Sequence, residues 1–177
     1  MLGPYIAKHS LGGAGAWAVI LTAGSAGFLI GGAIALRVGS TRPLLYGELA
    51  CLFAALPPIL LGLHAAVALI AAGMLLRSIG IAWGDALWHT TMQEQVPAAA
   101  ISRVSALDWT GTLVLNPIGF ALVGPVAAII GISTTLIGAG ILTAVATVAV
   151  IAVPSVRNLR TESKPGPTKP EPSPNIA

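Results

Sequence analysis

The stretch "AGAWAVILTAGSAGFLIGGAIAL", residues 14 to 36, contains no Asp, Glu, Lys or Arg. A helix rises about 1.5 Å per residue and the hydrocarbon core of a bilayer is about 30 Å thick, so about 20 apolar residues suffice to cross it. The stretch therefore predicts a transmembrane helix. Four others meet the same condition: Pro43 to Leu63, Ala65 to Trp88, Leu107 to Ala128 and Thr134 to Val153. The second holds Glu48 and the pair Pro57-Pro58, but Arg42 and His64 bound it and it is long enough to cross.

The whole chain agrees with that reading. Of its 177 residues 55% are hydrophobic and 8% charged, against about 25% charged in an ordinary soluble domain. The mean hydropathy of +0.88 comes from Ala, Leu, Ile, Val and Gly with few aromatics. That composition suits helices in lipid rather than the alternating strands of a barrel. The expected fold is an all-α membrane protein with about five transmembrane helices. A pI near 9.5 raises nucleic acid as a partner, but nine basic residues scattered among apolar runs form no patch, so that partner is set aside. Cys51 has no second cysteine to pair with and reads as a small packing residue. The opening "MLGPYIAKHS" lacks the basic, apolar and small-residue regions of a secretory signal.

Short loops rich in Lys and Arg stay in the cytoplasm. Arg37 and Arg42 fall in the first loop, Arg103 in the third, and Arg157, Arg160, Lys164 and Lys169 in the tail, which puts seven of nine basic residues on one side. The expected orientation in the plasma membrane has the N-terminus outside and the tail inside. Trp17 near one face, with Trp88 and Trp109 near the other, fits interfacial aromatic belts. Residues 154–177 shift abruptly to Pro, Ser, Lys and Glu, and read as a disordered cytoplasmic tail.

Four segments resemble the C-terminal half of a major facilitator superfamily transporter, in the branch of macrolide efflux proteins and the enterobactin exporter. They are "GPYIAKHSLGGAGAW", "GGAIALRVGSTRP", "LWHTTMQEQVPAAAISRVSALDW" and "NPIGFALVGPVAAIIG". The resemblance implies that residues 14–153 supply the last five of twelve helices, with 1–13 as the extracytoplasmic end of a preceding helix and its loop. It also implies export of small amphipathic molecules by alternating access, coupled to protons, with an N-terminal half as partner. The cytoplasmic loop motif is matched by Gly32, Arg37 and Gly39, with Arg42 as a nearby base and Arg103 in the later loop; the motif's acidic position is Leu36 here.

The polar residues inside the spans are the functional candidates. Arg77 lies eleven residues above Trp88, about 16 Å, whereas Asp85 is three residues above it, about 4 to 5 Å. An arginine at mid-membrane costs at least about 2.5 kcal/mol and must face protein or water. Asn116, nine residues above Leu107, is expected at the depth of Arg77, and the two form either a structural hydrogen bond between helices or a contact for substrate or anion. Asp85 reads as an inner-rim carboxylate that meets His89 at i, i+4 spacing, and Glu48 as an interfacial one.

Gly27 and Gly31 form a GxxxG face, flanked by Gly24 and Gly32, that suits close helix packing. Pro117, Gly119, Gly124 and Pro125 are expected to interrupt or bend the fourth span. No Ser-His-Asp arrangement, HExxH, metal spacing or P-loop is present, so neither an enzyme nor a cofactor is expected. The competing readings are a non-transporting truncated membrane protein and a self-assembling channel or scaffold.

Overall fold

The computed structural model describes residues 3, 4, 6, 11–38 and 42–153, without the side chains of Ala98 and Asp108. The tail 154–177, Gly39 of the loop motif and most of residues 1–13 lie outside the described residues. Those described are helical throughout their regular elements, with no strand among them. The helices are α1 (Ala14–Arg37), α2 (Pro43–Cys51), a 3-10 turn (Leu52–Ala55), α3 (Leu56–Gly62), α4 (Val67–Gln95), α5 (Ala98–Ile130) and α6 (Ile132–Ala152). With α2, the turn and α3 taken together, they make five helices long and apolar enough to cross a membrane. The five expected spans are all present.

The break in the second span follows from Pro57 and Pro58. Neither ring nitrogen carries a proton, so the carbonyls of Phe53 and Ala54 lose their i+4 donors. The chain tightens into the 3-10 turn at those residues and restarts as α3 with proline in its first turn. The reversal into α4 is local: the Ala65 amide donates to the Leu60 carbonyl at 3.0 Å and the His64 amide to the Leu61 carbonyl at 3.1 Å. His64 takes φ 51°, the left-handed position usually given to glycine at such a helix end.

α4 is the centre of the bundle. α1 packs along one side of it and the second span along another, and α6 lies on the far side of the second span. In lipid no hydrophobic force draws helices together, so they associate through backbone approach at small residues. A methyl added at Gly31 would sit 2.6 Å from the Ile79 carbonyl oxygen, and one at Gly27 would overlap that of Leu75. The GxxxG face is therefore the contact between the first and third spans. The second seam is made by Gly80 against the Ala50 carbonyl and by Gly84 against Gly47.

Side-chain burial concentrates at one end of this assembly. Ile6, Ile20, Leu61, Ile70 and Ala71 pack there, with Trp17 and Ile132 against them.

Four expectations are corrected. The third helix continues past Trp88 to Gln95, and the fourth begins at Ala98 rather than Leu107. At 33 residues α5 is about 50 Å long, well beyond the hydrocarbon thickness. Hydropathy marks where lipid ends, whereas backbone hydrogen bonding carries a helix on through Thr, Gln and Glu. Arg103 consequently stands exposed inside α5 and not in a loop. Pro117 and Pro125 do not interrupt the helix, which runs unbroken through both.

Gly80→Ala is expected to destabilise the bundle by about 1–3 kcal/mol, because the methyl meets backbone that cannot move aside. Gly111→Ala, where nothing lies within 4 Å, should be neutral or slightly stabilising, since alanine is the better helix former. Thermal unfolding in detergent, followed by circular dichroism, checks both; equal behaviour of the two variants would mean the second seam is not formed.

Candidate functional site

Most hydroxyls in the spans satisfy themselves. Thr22, Ser25, Thr91, Thr135 and Thr143 each donate to the carbonyl four residues earlier, at 2.8 to 3.2 Å. A hydroxyl bonded this way can face lipid or protein at little cost. The groups left to explain are Arg77, Asp85, Glu48, Asn116 and the indole of Trp83.

Glu48 and Asp85 line one pocket of about 140 Å³ between α2 and α4. Pro43, Leu44 and Trp88 form its outer wall, and Cys51 and Gly84 its inner one. The close approach of Gly47 to Gly84 holds the two helices together there, so the carboxylates occupy the same recess. The sequence treats them as two separate interfacial acids. Their convergence depends on how α2 and α4 are rotated about their own axes, and the signal is the matched glycines Gly47 and Gly84, one beside each carboxylate.

Arg77 is half-buried on α4. At about 100° per residue, Gly84 and Trp88 each fall within about 20° of Arg77, in one stripe. The Arg77 backbone thus stands about 10 Å along the helix from Gly84, on the same side. Asp85 and His89 are both exposed one turn apart, and no ion pair joins them.

Asn116 is not brought to Arg77. It is exposed on α5, whose residues 106–122 are exposed at every described side chain. The contact recorded between α5 and α4 lies near their joining turn, where the Ser105 hydroxyl donates to the Met92 sulfur at 3.5 Å. Of the loop-motif residues, Gly32 lies within α1, Arg37 ends it, and Arg42 caps α2. Gly119 and Gly124 have open space around them.

Sequence reasoning missed Trp83. Its Nε1 is buried without a hydrogen-bond partner, on the wall of an open apolar groove between α1, α2 and α4. Among the described residues no three His, Cys, Asp or Glu side chains are grouped so as to hold a metal ion.

Fold and polar groups together fit a multi-pass helical membrane protein. Comparison of the chain with protein-family models, with curated proteins and with solved structures finds no match. The likeness to the major facilitator superfamily accordingly rests on the four quoted segments.

Two carboxylates beside Cys51 make the pocket selective by charge. A cationic methanethiosulfonate is expected to label Cys51 faster than an anionic one, by about fivefold for about 1 kcal/mol of interaction at close range. In the Glu48→Gln/Asp85→Asn double variant the two rates should converge; a ratio unchanged by the double variant would place the carboxylates elsewhere.

Proposed function

We propose that the chain forms one wall of a secondary active transporter in the plasma membrane that exports small amphipathic molecules of the drug, macrolide or siderophore kind, coupled to protons. The observation that carries this reading is the state of α5. Asn116 lies in the middle of a long apolar helix with no other part of the described chain covering it. Pro117 and Pro125 add two carbonyls, of Leu113 and Ala121, that lack their helical donors. Three polar groups at that depth need protein or water beside them. A cavity wall completed by further helices supplies both.

The polar residues of α4 support the same reading. Arg77 and the pocket of Glu48 and Asp85 lie along one side of α4, and ionisable groups within spans mark transport routes by default. The bundle is tightly packed at the end near Ile20 and Ile70 and holds its acidic recess at the other. The orientation expected from the basic residues puts that recess on the cytoplasmic side.

In such a transporter the substrate sits between two sets of helices that rock against each other, so this chain works joined to an N-terminal half. Dye or drug efflux in cells expressing the chain with and without a candidate N-terminal half tests the reading, with efflux expected only in the pair. Within the pair, Arg77→Ala should lower efflux on the order of tenfold, equivalent to about 1.4 kcal/mol, with assembly intact. Uphill transport by the chain alone as a monomer would overturn the proposal. A defined ring of identical chains by native mass measurement would favour the channel or scaffold reading instead, since the uncovered α5 also suits a second copy.

A further inference from the structure

The groove bearing Trp83 lies on the opposite flank of the α2–α4 seam from the acidic pocket. It has a volume of about 400 Å³, and its walls are almost entirely apolar: Ile34 from α1, Leu49 from α2, Phe53 from the 3-10 turn, Leu76 and Ile79 from α4. Along α4 it runs from Leu76 to Trp83, about 10 Å at 1.5 Å per residue. The seam that floors it is Gly80 against Ala50, where no side chain fills the space between the helices. A slot of this shape inside a membrane span is open to an acyl chain.

What distinguishes the groove is how its walls end. The α1 wall contributes Ile34, and three residues on, one turn further along the same face, α1 finishes in the exposed Arg37. The α2 wall contributes Tyr46, and one turn before it stands Arg42, whose carbonyl accepts from the Tyr46 amide at 3.1 Å. Both walls therefore terminate in an arginine at the same end of the groove. Tyr46 and Trp83 are at that end as well, the amphipathic rings usual at the depth of lipid headgroups.

We infer that this groove is a binding site for one anionic phospholipid, with an acyl chain lying along Ile34, Phe53 and Ile79 and the headgroup phosphate between Arg37 and Arg42. The apolar slot alone accepts any lipid; the two guanidiniums select the charge. A phosphate is matched by arginine in bidentate geometry, and a zwitterionic headgroup offsets that attraction with its own ammonium. The inference requires neither transport nor a partner half, so its failure leaves the transporter reading standing.

Native mass spectrometry of the full chain, released from detergent containing equal amounts of phosphatidylglycerol and phosphatidylcholine, tests it. The expected result is one retained lipid, with phosphatidylglycerol preferred by about fivefold for each arginine engaged. Arg37→Gln/Arg42→Gln should bring the ratio close to one, Arg37→Lys/Arg42→Lys should keep most of it, and Arg103→Gln, which removes a charge elsewhere, should leave it unchanged. Leu49→Trp, which fills the slot, should lower retention of both lipids. Equal retention of the two lipids by the unaltered chain, a preference that survives loss of both arginines, or retention indifferent to Leu49→Trp would each overturn the assignment.

Discussion

The approach of backbone to backbone at glycine holds the bundle together. Inside a bilayer a leucine gains little by leaving lipid for protein, so helices bind each other mainly through van der Waals contact between surfaces that fit. α4 meets that condition on two sides. Gly27 and Gly31 let α1 rest on the carbonyls of Leu75 and Ile79, while Gly80 and Gly84 on α4 itself let α2 rest on it. The positions of Arg77, Glu48, Asp85 and Trp83 depend on these two seams, because they set how α1, α2 and α4 are turned about their own axes.

The second seam has a chemical consequence. Where Gly47 meets Gly84 and Ala50 meets Gly80, the two helices touch along a line and diverge on both sides of it. One flank opens into the recess of Glu48 and Asp85 and the other into the apolar groove of Ile34, Tyr46 and Trp83. The carboxylates of Glu48 and Asp85 lie on one flank, and the other flank is almost entirely apolar.

How far this was legible in the sequence varied with the length scale of each signal. The spans were read from runs of apolar residues, since a charge-free stretch such as 14–36 has no other stable place in a bilayer. The packing role of Gly27 and Gly31 followed from their spacing on one helix. The limits of α4 and α5 were not legible by hydropathy, because residues 89–106 leave the apolar range while the hydrogen-bond ladder continues. Pro117 and Pro125 sharpen the same point: a missing donor weakens one rung of the ladder, and the remaining bonds carried the helix through. The pairing of Glu48 with Asp85 needed the relative rotation of two helices, which no single segment encodes. Asn116 failed as a partner for Arg77 for a related reason: equal depth on two spans says nothing about which way either faces.

α5 presents the remaining physical problem, and it constrains what any account of this protein must include. A helix of Leu, Val, Ile and Ala alone is content in lipid, so exposure of residues 106–122 would by itself demand nothing. Asn116 changes that balance, since a primary amide in hydrocarbon has lost its water without gaining partners, and the carbonyls of Leu113 and Ala121 have lost their donors. Asn116 and the Leu113 carbonyl are three residues apart, so they lie within one turn and on neighbouring parts of the surface. The amide can donate to that carbonyl region from within the same helix, yet the Ala121 carbonyl, a turn or more away, is beyond its reach. On the transporter reading, a neighbouring helix or a water-filled cavity along the stretch around residues 113–121 meets that need. A purely apolar neighbour, whether lipid or a leucine-rich face of another copy, would leave that need unmet.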